Sequence, residues 1–107
     1  MENRIFNEAN WNESLIEFCQ QLVRTRSFSG EEGELAKIIE SHMISLDFDY
    51  VTIDRWGNVI GRVGNGEKSI LFDSHMDTVQ VHDADLWDEE PFSGSVKDGF
   101  LWGRGSV

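Results

Sequence analysis

This chain is poor in basic residues, cysteine and proline. Nine Lys and Arg stand against 20 Asp and Glu, a net charge of −11, and such a surface repels phosphate backbones and anionic lipid headgroups. Neither nucleic acid nor a membrane is expected as a partner. The lone cysteine, Cys19, excludes an internal disulfide. The opening Met1-Glu2-Asn3-Arg4 lacks the charged-then-apolar order of a secretory signal, so the cytoplasm is the expected compartment. One proline and 10 glycines in 107 residues rule out collagen-like and low-complexity classes. No apolar run reaches the roughly 18 residues that a membrane span needs. What is present, 39% hydrophobic residues with 27% charged, suits a single domain-sized α/β unit without repeats or linkers.

The acidic charge is unevenly placed. Between Ser69 and Val96 there is no Lys or Arg, while Asp73, Asp77, Asp83, Asp85, Asp88, Glu89 and Glu90 fall there. A solvated acidic loop and a cation site are both open readings of such a run.

Hydrophobic periodicity orders the rest. A first helix is expected from Asn12 as N-cap, with Trp11 before it as a hydrophobic staple on Ile16. Leu15, Ile16, Cys19, Leu22 and Val23 then form one face, which makes Cys19 a core thiol rather than a nucleophile. Ser29-Gly30-Glu31-Glu32 reads as a capping box, with Ser29 as N-cap and Glu32 reaching back. The helix that follows carries Leu35, Ile39, Met43 and Leu46 as its buried stripe, flanked by Ile38 and His42. Asp47 stands where a left-handed residue must end that helix, a conformation Asp tolerates better than most.

Residues 50–54 and 58–63 read as a hairpin around Arg55-Trp56-Gly57, and residues 95–102 as another around Lys97-Asp98-Gly99. Between them, Ile70-Leu71-Phe72 is apolar on consecutive positions, the pattern of a central strand covered on both faces. At its end stands Ser74-His75-Met76-Asp77-Thr78-Val79. Strand alternation sends His75 and Asp77 to the same side. An imidazole beside a carboxylate can hold a divalent ion, and a satisfied polar strand end is the plainer alternative. His82 is read as a solvated loop residue, and Trp87 and Trp102 as packing rather than substrate-stacking rings.

The order of these motifs carries a resemblance. Arg26-Ser27-Phe28-Ser29-Gly30-Glu31-Glu32-Gly33-Glu34, Asp54-Arg55-Trp56-Gly57-Asn58-Val59-Ile60-Gly61, the His75-Met76-Asp77 run, Trp87 with Pro91-Phe92-Ser93-Gly94, and Lys97 through Gly105 together resemble the zinc amidohydrolases and peptidases. That superfamily includes aminoacylase, acetylornithine deacetylase, succinyl-diaminopimelate desuccinylase and several di- and aminopeptidases. The likeness spans about residues 12–107.

The resemblance implies the N-terminal part of an α/β/α zinc-peptidase catalytic domain: two helices, a hairpin, a buried central strand and a further hairpin. Residues 1–107 would be an incomplete portion of that domain, without the family's inserted dimerisation domain. His75 would bind one of two divalent ions, with zinc foremost and cobalt or manganese as alternatives. Asp77 would be the active-site carboxylate that orients His75. The Gly103-Arg104-Gly105-Ser106-Val107 run would lead to a bridging aspartate beyond Val107. The glutamate pair supplying the general base, the later acidic ligand and the distant histidine have no counterpart here. The implied reaction is metal-assisted hydrolysis of an amide or peptide C–N bond in an N-acyl amino acid or short peptide, with the 107-residue chain inactive alone and full-length relatives often homodimeric. A non-catalytic acidic interaction module or weak cation binder is the alternative.

Overall fold

A computed structural model describes residues 8–106; residues 1–4 and Val107, both used in the readings above, lie outside the described residues. Its elements run α1 (Glu8–Arg24), α2 (Gly33–Ser45), β1 (Tyr50–Ile53), β2 (Val59–Arg62), a short 3-10 turn (Ala84–Leu86), β3 (Ser95–Lys97) and β4 (Phe100–Trp102). The result is mixed α/β with β1–β2 and β3–β4 each paired antiparallel, consistent with the N-terminal part of the expected domain. Two compact units divide the chain: residues through Thr25 with those from Val81, and Arg26–Gln80.

In Arg26–Gln80, α2 packs on the β1–β2 hairpin. Leu35 and Ala36 are its buried residues, while Leu46, expected in the stripe, caps the helix and is exposed. The helix ends in a Schellman motif: Phe48 N–H donates to Met43 O (3.2 Å) and Asp47 N–H to Ile44 O (3.0 Å), with Asp47 left-handed at φ 58°. That turn brings the Phe48 ring and the Met43 thioether over Gly61. A Cβ there would lie 2.6 Å from Met43 Sδ and 2.8 Å from the Phe48 ring, so any larger residue would force those two side chains to shift. In register, Tyr50 faces Arg62 and Ile53 faces Val59. The intervening turn is closed by Asp54, whose Oδ1 accepts from the N–H of Trp56 (2.8 Å) and of Asn58 (2.9 Å), and whose Oδ2 accepts from Asn58 Nδ2 (2.9 Å).

The start of α2 departs from the capping box. Its N-cap is Glu32, with no side-chain cap bond, although Glu32 Oε1 does reach back to accept from Gly30 N–H at 2.9 Å. Ser29 lies too far before the first helical turn to cap it. The segment Ser27-Phe28-Ser29 runs instead beside residues 76–78. Phe28 and Thr78 form a parallel bridge, Thr78 N–H donates to Ser27 O (2.8 Å), and Ser27 Oγ donates to Met76 O (2.9 Å). Ser27 is 2% exposed, so its hydroxyl satisfies a carbonyl that water does not easily reach.

Ile70, Leu71 and Phe72 correct the expectation of a buried strand. They belong to no strand and are 84%, 88% and 91% exposed. An apolar run folds as an inner strand only where neighbouring strands satisfy its backbone and other layers cover its faces; no described residue pairs with it.

In the other unit, α1 also departs from expectation. It begins before Asn12, so Trp11 lies within the helix, and Leu15 and Ile16 are exposed. Its last turns carry the packing. Gln20 Nε2 donates to Gly94 O and Arg24 Nε to Ser93 O, each at 2.8 Å. Arg104 N–H donates to Pro91 O at 2.7 Å, and Val23 lies where a side chain at Gly103 would have to go. Cys19 is half-buried. The β3–β4 hairpin turns through Asp98 (φ 54°) and Gly99 (φ 80°), the paired positive φ of a type I′ turn.

Two outcomes follow from this packing. Ser27→Ala leaves Met76 O without its buried donor and is expected to cost about 1–3 kcal/mol, read as a lower denaturation midpoint and faster amide exchange at Thr78. Donation by Asn58, then by the turn amides, holds the Asp54 carboxyl below its ordinary value. A depressed folded pKa contributes stability above the unfolded value that is lost as pH falls through the folded one. Exchange protection at Trp56 and Asn58 should therefore hold at neutral pH and collapse as the pH drops below the ordinary carboxylate range, while Asp54→Asn should flatten that dependence.

Candidate metal centre

His75 and Asp77, singled out from their spacing, do meet. His75 Nδ1 lies 3.1 Å from Asp77 Oδ1 and 3.0 Å from the Asp77 main-chain carbonyl. Both partners are acceptors, so Nδ1 carries the proton and Nε2 keeps its lone pair. The imidazole is 84% exposed and the carboxylate 40%, which leaves Nε2 accessible from solvent.

The carboxylate has a second partner that the sequence reading assigned elsewhere. Ser29 Oγ donates to Asp77 Oδ2 at 2.5 Å. One oxygen of Asp77 thus serves the imidazole and the other the hydroxyl. Donation by Ser29 first, and by His75 in addition, holds the Asp77 carboxyl below its ordinary value against the opposing effect of burial. Of Ser27-Phe28-Ser29, Ser29 was absorbed into a helix-capping reading and Ser27 was given no role. The signal that could have found them is extended-chain alternation, which sends residues 27 and 29 to the same side.

As a donor set these residues fit a divalent ion in part. A neutral imidazole with its rear nitrogen held by a carboxylate is a good ligand for zinc and similar metals. Among the described residues, however, no group of three or more His, Cys, Asp or Glu side chains converges as a metal cage. His75 therefore offers one ligand, and Asp77 is committed to its neighbours. His82 is exposed and belongs to the unit of residues 81–107.

That unit has a recess of about 550 Å³ lined by Leu86, Trp87, Phe100 and Trp102, with Asp83 and Asp88 among its polar walls. Both tryptophans have structural engagements. The Arg104 guanidinium lies 4.7 Å over the Trp87 ring, and Trp102 meets Phe100 edge-on at 6.4 Å while its Nε1 donates to Lys97 O. Glu89 Oε1 accepts from Lys97 Nζ at 2.9 Å.

Known proteins resemble this sequence. Residues 71–107, which include His75 and Asp77, match Peptidase family M20/M25/M40. A succinyl-diaminopimelate desuccinylase of Cereibacter sphaeroides is 39% identical over 96 residues, covering 86% of this chain and 25% of that protein. The corresponding enzyme of Nitrosomonas europaea is 31% identical over 96 residues, covering 88% and 26%. The uncharacterized protein YgeY of Escherichia coli K12 is 32% identical over 97 residues, covering 91% and 24%. The chain thus spans about a quarter of the length of these curated relatives. With the likeness running through both the loop that holds Asp77 and the segment that bears His75, this chain belongs to the M20 amidohydrolase and peptidase superfamily.

Proposed function

We propose that these residues form the N-terminal portion of the catalytic domain of a metal-dependent hydrolase that cleaves amide or peptide C–N bonds. The observation that carries the reading is the His75–Asp77 contact, which leaves Nε2 free to bind a metal in a chain similar to desuccinylases. His75 would hold one of two divalent ions through Nε2, with zinc foremost and cobalt or manganese as alternatives. Asp77 would fix the ring's tautomer and direction. Bound there, such ions supply polarisation of the amide carbonyl and acidification of a water molecule. The proton acceptor and the remaining ligands are assigned to residues outside this chain, and so is an inserted dimerisation domain. The substrate class is an N-acyl amino acid or short peptide, as the relatives' name suggests.

One imidazole and one committed carboxylate are too few for turnover. The 107-residue chain supplied with zinc or cobalt should show no hydrolysis of N-acyl amino acids or dipeptides, and metal-dependent turnover by it would overturn the assignment of the other groups. A chimaera tests the positive half. These residues, replacing the matching segment of the Cereibacter desuccinylase, should support metal-dependent hydrolysis of succinyl-diaminopimelate, and His75→Ala should lower it by at least about 100-fold, the loss of a few kcal/mol of metal-derived stabilisation. Full activity of the His75→Ala chimaera would remove His75 from the metal site and favour a non-catalytic acidic module.

A further inference from the structure

We propose that Ser29 is a positioning residue for His75, acting through Asp77: its hydroxyl holds Oδ2 so that Oδ1 stays turned toward His75 Nδ1. The inference rests on the reading of His75 as a metal ligand, and the geometry extends that reading to a residue on a different loop. A carboxylate turns about its terminal torsion in a broad, two-fold well. With the imidazole as its sole partner, Asp77 could rotate or exchange that bond for water. The Ser29 hydroxyl, 2.5 Å from Oδ2, removes that freedom while Oδ1 lies 3.1 Å from Nδ1.

Ser29 can do this because its own backbone is placed. Two residues earlier, Ser27 is tied to the same strip by its hydroxyl on Met76 O (2.9 Å) and by its carbonyl under Thr78 N–H (2.8 Å). Phe28 bridges Thr78 between them. Residues 27–29 thus set the height of the hydroxyl against Asp77. The competing role, capping α2, does not hold the serine, since the helix is capped at Glu32 without a side-chain bond. Partners behind a metal-binding histidine typically alter affinity by about 10–100-fold. One bond further out, Ser29 is expected to alter it by about 3- to 10-fold.

The test uses the full 107-residue chain at a pH where imidazole is neutral. Nitrogen-15 spectra of metal-free protein should show His75 with the proton on Nδ1 in the wild type and in Ser29→Thr, which keeps the hydroxyl. Ser29→Ala should give a mixture of tautomers, and a zinc titration followed at His75 should shift to about 3- to 10-fold higher concentration. Amide exchange at Thr78 reports whether the loop is still docked. An unchanged tautomer in Ser29→Ala with Thr78 still protected overturns the proposal. If Ser29→Ala releases the loop, the decision falls to Ser29→Thr and to Ser29→Cys, which retains a weak donor of similar size: a wild-type tautomer in Ser29→Thr with a mixed one in docked Ser29→Cys supports it, and identical spectra overturn it. Failure of the metal reading looks different, because zinc would then leave the wild-type His75 resonances unchanged while the metal-free tautomer still depended on Ser29.

Discussion

Ser27 and Ser29 grip the His75 strip from one side, by main chain and side chain together, and the candidate centre depends on that grip. Among the described residues, 76–78 join no ladder beyond the single bridge of Phe28 and Thr78. A lone bridge holds a backbone weakly, because neighbouring bonds normally share the ordering entropy. Here the shared load comes from hydroxyls. Ser27 adds a buried bond to Met76 O and Ser29 a bond to a carboxylate, the stronger class because the acceptor is charged. The short parallel contact and the orientation of His75 are therefore one feature. Loosening the loop after α1 would disorder the imidazole 46 or more residues later in sequence without touching it.

The same strip shows what the described residues do not supply. Ile70, Leu71 and Phe72 lead directly to Asp73 and His75, yet they are the most exposed large apolar side chains among the described residues. Consecutive apolar residues predict two covered faces, and that prediction concerns a finished sheet. Sequence reports the environment a segment is adapted to; the structure reports the partners at hand. This chain spans about a quarter of the length of its curated relatives.

Where the sequence was legible, local chemistry decided the outcome. The β1–β2 hairpin, the Asp98-Gly99 turn and the left-handed Asp47 follow from turn residues that act within a few positions. His75 and Asp77 were found because two residues of extended chain bring their side chains to one face. The start of α1 was misplaced because Asn12 is a good cap in isolation, and its exposed Leu15 and Ile16 show that the apolar face expected there is only partly used. Ser29 was misread for a deeper reason. A serine three residues before a glutamate satisfies the capping-box pattern, and nothing local signals that a carboxylate 48 residues onward is the better acceptor. Long-range hydrogen bonds leave no periodicity to detect.

Charge density taught less than hydrogen-bond geometry about where the site lies. Seven acids between Ser69 and Val96 suggested a cation site by number, and of these Asp77 meets His75. Glu89 is paired with Lys97, which holds the Glu89 carboxyl below its ordinary value and is itself raised by it. Asp83 and Asp88 line a recess floored by aromatic rings. At physiological ionic strength exposed charges more than about 8 Å apart are largely screened, so a diffuse acidic run steers cations without choosing where they bind. Choice comes from an atom whose lone pair is fixed in direction, as that of His75 Nε2 is by Asp77 on the other side of the ring.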